Sequence, residues 1–279
     1  MSHFSVLVVG PNVDDQLAPY HEFECTGEND QYVIDVDETE ETLAEKGDST
    51  LSDVEFCSEW LSYSVVPFGE KPDTDGEHKY GYITVKEDGS LDKVIRRTNP
   101  NAKWDWYVEG GRWNGWAKDH SGQYIVSGKK RDFDFKKMYD DAYEQASKNH
   151  RAAILAIGDA EFKPLSYYLE TLNLEIEQAR ALYWDQLAIK RLRESDNESF
   201  GWFIDTDIFS MSEFMYAGKI ASQATRTYAI VKDGKWYAKG KMGWFGCSHD
   251  EKDDWPKTYK DILDSVSDDE LLTVVDCHI

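Results

Sequence analysis

Tyr228-Ala-Ile-Val-Lys-Asp-Gly234 runs into the aromatic pair Trp236-Tyr237, and Tyr82-Ile-Thr-Val-Lys-Glu-Asp-Gly89 sets out the same pattern earlier in the chain. Each is a β-branched and aromatic run ending in Asp-Gly, the dipeptide that supplies the positive φ angles of a tight hairpin turn. An aromatic segment comes after each: Trp106-Tyr107 to Gly110-Gly111-Arg112-Trp113 in one case, Trp236-Tyr237 to Gly240 and Gly243-Trp244 in the other. Helical stretches follow, Phe133 to about Lys148 and Pro256 to Val266, and then short apolar segments, Ala153–Ile157 and Leu271–Val275. This order reads as two ββαβ-like pseudo-repeats and predicts an α+β fold with mainly antiparallel sheets.

Three regions follow from that reading. Residues 1–160 hold an N-terminal strand (Phe4–Val9, stopped by Gly10-Pro11), an acidic segment (12–77) and the first unit. Residues 161–225 form a helical insertion, with one long helix expected from Pro164 to about Arg193 and a second over Ser212–Ala224. Residues 226–279 form the second unit, and the three are expected to pack as one assembly. Within the acidic segment, Asp35–Leu43 and Thr50–Leu61 read as short helices, the second capped by Ser52 or Thr50.

With 31 Lys+Arg against 54 Asp+Glu the formal charge is −23, which argues against direct nucleic-acid binding and against a basic membrane-surface helix. Hydrophobic residues make up 41% of the chain, enough for a core, yet no window has the roughly 20 apolar residues of a membrane span. A cytoplasmic protein is expected. The charge is concentrated: Met1–Glu77 carries 20 acidic and two basic residues, net −18. An acidic surface of this density suits a basic partner, and Asp35, Asp37, Glu38, Glu40, Glu41 and Glu45 are its candidate contacts.

Other residues suggest chemistry. Trp104, Trp106, Tyr107, Arg112 and Trp113, with Trp236 and Trp244 from the second unit, are the types that stack a planar ligand and pair with a phosphate or carboxylate. On a strand Trp104 and Trp106 would share one face, and the two aromatic strands would face each other across a cleft if the repeat holds. His3 and His278 lie on the first and last strands, so antiparallel pairing would bring their imidazoles together as candidate general acid and base on a phosphodiester. His3-Phe-Ser5-Val matches one copy of the His-x-Ser/Thr-x pattern of two-histidine phosphoesterases; His278 begins no second copy. Cys247, His249 and Cys277 are metal-ligand types in no standard zinc spacing. There is no phosphate-binding loop, dinucleotide fingerprint, nucleophile elbow or His-Glu-x-x-His, so no cofactor is implied.

Ser2–Gly10 with Leu17–Gly27, Arg97–Tyr107 with Gly110-Gly-Arg-Trp113, Lys232-Asp-Gly-Lys-Trp-Tyr237 and the terminal Leu271–Ile279 together resemble a family of tailed-bacteriophage and prophage proteins. The resemblance implies a protein made inside a bacterial cell and assigns no catalytic residue. In that setting the acidic surface is expected to bind a basic host or defence protein, a nuclease or nucleic-acid-binding effector, as an imitation of DNA in host takeover or anti-defence. The alternative is a nucleotide-binding protein or phosphodiesterase built on the Trp/Arg cluster and the two histidines.

Overall fold

The computed structural model describes residues 2–22, 30–195, 205–243 and 247–279. In chain order the elements begin with β1 (His3–Val9), α1 (Val13–Leu17), β2 (Ile34–Asp37), α2 (Thr39–Ala44), α3 (Asp53–Leu61), β3 (Val65–Val66), β4 (Gly81–Val85), β5 (Leu91–Thr98) and β6 (Trp106–Glu109). They continue with β7 (Ala117–Lys118), β8 (Tyr124–Ile125), β9 (Ser127–Lys129), α4 (Phe135–Ile157), α5 (Ile176–Asp185), α6 (Leu187–Glu194), α7 (Asp207–Ser210) and α8 (Glu213–Ala224). The last are β10 (Ala229–Lys232), β11 (Lys235–Ala238), β12 (Lys241–Met242), β13 (Ser248–His249), α9 (Trp255–Asp264) and β14 (Leu271–His278). The fold is α+β, with antiparallel pairing throughout except for β1 on β10 and β3 on β4.

Among the described residues the central sheet has six strands in the order β11-β10-β1-β14-β6, with β9 also on β14. β1 and β14 lie in its middle, and both are almost wholly buried, as continuous apolar runs covered on two faces must be. Their register places His3 opposite His278 and Ser5 opposite Asp276. Leu7, Val9, Ile230, Leu272 and Val274 point to one face, where Trp255 and Tyr259 of α9, Met138 of α4 and Phe133 cover them. Phe4, Val6, Val8, Val275 and Cys277 point to the other, under Leu17 of α1, Trp104 and the half-buried Tyr20 and Trp236.

The expected duplication fails on three counts. β10 and β11 do form the hairpin read from Asp233-Gly234, whose φ angles are 52° and 68°. The matching hairpin, β4 with β5, belongs instead to a second sheet of order β2-β5-β4-β3, whereas the aromatic strand β6 pairs with β14 in the central sheet. Ala153–Ile157 continues α4 because Ala153 and Ile157 lie four residues apart on one helix face, packed against Ala217 and Tyr216 of α8 and Leu192 of α6. The aromatic strands β6 and β11 therefore occupy opposite edges of one sheet and do not face each other across a cleft.

The acidic segment folds with the first hairpin. α3 opens with a capping box between Ser52 and Glu55 and buries Phe56 and Cys57 on Ile83 and Val94. Asp35–Asp37, expected as helix, is strand β2 alongside β5, and helix begins only at Thr39. The helix expected over Pro164–Arg193 is broken into a wide turn at Tyr167–Thr171, α5 and α6. Asn173 at φ 52° and Gln186 in an extended conformation interrupt it. No helix of the described residues is long and apolar enough to cross a membrane.

Candidate functional site

At one end of the central sheet the apolar packing of β1 and β14 gives way to polar side chains on a single face. Strand alternation sets His3 and Ser5 below Leu7, and Asp276 and His278 below Val274. The imidazoles of His3 and His278 meet with ring centroids 5.0 Å apart, edge to face at 71°. Trp106, opposite His278 on β6, stacks on the second imidazole at 4.9 Å and 18° and meets His3 in a T-shaped contact at 5.3 Å and 80°.

Each imidazole is tied to its own carboxylate through Nδ1. His3 Nδ1 lies 2.9 Å from Asp276 Oδ1, and His278 Nδ1 lies 2.7 and 2.9 Å from the two oxygens of Asp105. A carboxylate only accepts, so in both rings Nδ1 carries the hydrogen and Nε2 presents the lone pair when the ring is neutral. Neither Nε2 has a partner among the described residues. The carboxylates are fixed in turn. The backbone N–H of Arg112 donates to Asp276 Oδ2 at 2.9 Å, and the N–H of Trp106 donates to Asp105 Oδ1 at 2.7 Å. Asp276 is 2% exposed, so its charge is held by the Arg112 N–H and the His3 Nδ1–H rather than by water.

Gly110-Gly111 makes this close approach possible. Gly111 has φ 50°, and a Cβ there would stand 2.5 Å from Asp276 Oδ2. The turn of Gly111–Trp113 then carries the backbone of Arg112 onto Asp276, and the Arg112 guanidinium makes no ion pair or hydrogen bond among the described residues.

The remaining candidates are dispersed. Trp104 and Trp106 do not share a face: Trp104 is buried at 6% exposure and packs edge-on against Tyr107, whereas Trp106 is 44% exposed. Alternation is lost at Asp105, because Trp104 bridges to His21 before β6 begins and Asp105 bends back to its neighbour's N–H. Tyr107 donates its hydroxyl to Asp14, and burial followed by that carboxylate pushes its pKa far up. Trp113 packs against the core beneath α9, and Trp236 packs on Phe4 and Tyr20. Trp244 lies outside the described residues.

Cys277 is in the core, where burial raises the thiol well above its usual pKa and the charges of Asp276 and Asp105 add to the effect. Cys247 is exposed, and His249 belongs to the β12–β13 ribbon. Among the described residues no three His, Cys, Asp or Glu side chains converge as metal ligands.

The acidic candidates divide in two. Asp35 pairs with Arg97 and accepts from the Tyr82 hydroxyl at 2.8 Å, Asp37 pairs with Lys93 at 3.2 Å, and Glu38 pairs with Arg96 at 2.6 Å. Three of the six are thus matched by the cations of β5, while Glu40, Glu41 and Glu45 are exposed.

Asp105 and Asp276 belong to this candidate site although the sequence did not single them out. Their signal was a carboxylate two residues before His278 in an otherwise apolar strand, and a carboxylate between two tryptophans. Compared with known proteins, the chain matches no family model, no curated protein and no solved structure.

Proposed function

We propose that the protein is a phosphodiesterase of the two-histidine acid–base kind, acting on a nucleotide. The observation that carries this reading is the pair of adjacent imidazoles, each with Nδ1 committed to a carboxylate and Nε2 uncommitted. Two such rings are what hydrolysis of a diester needs. The neutral ring takes a proton from water as the water oxygen bonds to phosphorus. The protonated ring gives its proton to the departing oxygen as that P–O bond breaks, leaving a phosphomonoester and an alcohol. The exposed ring of Trp106 offers a base a stacking surface beside the reacting phosphate.

The test is hydrolysis of bis(p-nitrophenyl) phosphate and of a panel of nucleotide diesters. His3→Ala and His278→Ala should each lower kcat by ~10² to 10⁴-fold with the fold retained by circular dichroism. A wild-type protein inactive on every diester would overturn the reading.

A second reading is supported by the acidic lobe formed by residues 30–98. It carries 18 acidic and seven basic residues, net −11, with Glu40, Glu41 and Glu45 exposed. Here the protein is a phage-encoded accessory factor whose lobe engages a basic host or defence protein. Reversal to lysine at those three positions should abolish capture of that partner from bacterial lysate at low salt and leave diester hydrolysis unchanged; undiminished capture would remove the reading.

A further inference from the structure

His278 and Asp105 also form part of the wall of a cavity of about 510 Å³, which includes Ser2, Glu22 and Gly243. Ala102, Met242 and Ile279 line this cavity and also a second one of about 600 Å³, so the two adjoin along one groove. Their chemistry differs. Among the described residues the first has carboxylates, Glu22 and Asp105, and no lysine or arginine. The second has Phe4, Tyr228 and Trp236 among its aromatic residues and three lysines, Lys103, Lys241 and Lys252, against a single carboxylate, Asp250. Lys241 pairs with Asp250 at 2.8 Å, while Lys103 and Lys252 are exposed and have no ion pair among the described residues. In a chain of charge −23, a cavity lined by three cations and one anion is a local reversal of sign.

That arrangement sorts the parts of a ligand. Beside His278, Glu22 repels a phosphate but accepts hydrogen bonds from the hydroxyl and amino groups of a nucleoside. The next cavity offers aromatic surface for a base and ammonium groups for a phosphate. Each cavity is within the roughly 300–1,000 Å³ of small-ligand sites, so a single nucleoside would leave one of them unused.

Resting on the phosphodiesterase reading above, we infer that the substrate is a nucleotide with a second phosphate one nucleoside away from the scissile diester. The diester sits at His3 and His278, the intervening nucleoside beside Glu22, and the second phosphate at Lys103 and Lys252.

The experiment compares the dinucleotides ApA and pApA, which differ only in the 5′-phosphate. For the wild type, kcat/KM for cleavage of the internal diester should be roughly tenfold or more higher for pApA, through KM, as expected of a phosphate with charged donors. In Lys103→Ala/Lys252→Ala the ratio should fall to near one. Equal cleavage of ApA and pApA by the wild type overturns the inference and leaves the phosphodiesterase reading standing. Should no diester be cleaved, that reading fails, and calorimetric binding of pApA becomes the measure. Affinity for pApA above ApA that the lysine substitutions remove supports the groove assignment, and equal or absent binding overturns it.

Discussion

Asp276 stands in a strand whose other inward residues, Leu272 and Val274, are core, so its burial is costly unless both oxygens are occupied. They are, by His3 and by the backbone of Arg112, which makes Asp276 a positioning residue for the first imidazole as Asp105 is for the second. Asn at position 105 would present an amide N–H as well as an oxygen, favouring the ring with hydrogen on Nε2 and removing the lone pair that accepts the proton. Asp105→Asn should lower kcat by ~10² to 10⁴-fold, with imidazole ¹⁵N shifts reporting the exchanged tautomer. A purely structural role would leave those shifts in place. Gly111→Ala should have a related effect for a steric reason: its Cβ would displace Asp276, and φ 50° is unfavourable for alanine. We expect a loss of activity larger than the loss of thermal stability. The thiols make a separate case. Among Cys57, Cys247 and Cys277, only the exposed Cys247 should be alkylated rapidly at pH 8, as mass spectrometry would show; burial raises the thiols of Cys57 and Cys277.

Ser52 accepts from the backbone N–H of Glu55 at 3.2 Å, and Glu55 accepts from the backbone N–H of Ser52 at 3.0 Å, which fixes the start of α3. Ser52→Ala should destabilise the lobe by about 1 kcal/mol, read from thermal or urea unfolding. The hydrogen bonds from Ser52, side chain first, hold the Glu55 carboxyl below its usual range. A lowered folded pKa contributes stability that is present above the unfolded carboxylate value and is lost as pH falls through the lowered one. The substitution should therefore cost less at acid pH than at pH 7. In the helical layer, Ala153 and Ala217 are fully buried where α4 packs on α8, so Ala217→Leu has no space to enter and should cost ~1–3 kcal/mol.

This level also shows what the residues themselves conveyed. The α3 cap, the α8 start at Ser212 and the Asp233-Gly234 turn were legible because each is decided by neighbours within three or four residues. Asp35–Asp37 was not, because its strand conformation is decided by Arg96 and Arg97, some 60 positions away on β5. The pairing of His3 with His278 could be anticipated from two apolar runs, one opened and one closed by histidine, whereas the carboxylates behind them depend on a bend at Asp105 and a glycine turn at 110–111 that no periodicity reports.

Over the whole molecule, charge is sorted rather than spread. The acidic lobe of net −11 is built on its own four-stranded sheet, while the histidine pair and the lysine-lined cavity belong to the central sheet. Negative surface potential opposes the approach of an anionic substrate, and salt screens it over about 10 Å at 0.1 M. Raising ionic strength modestly should therefore raise kcat/KM for a nucleotide substrate before direct lysine contacts weaken. A monotonic fall from the lowest salt would show that the local lysines, not the lobe, control approach.

β1 pairs with β10 and with β14, whose residues lie more than 220 and 260 positions further along the chain. Ribosomes add roughly 5–20 residues per second, so β1 spends on the order of 10 to 50 s outside the exit tunnel before its neighbours exist. During that interval a seven-residue strand, five of whose residues are Phe, Val or Leu, has both edges open, which is the form most prone to pair with another chain. The yield of folded protein should therefore depend on translation speed more than its finished stability does.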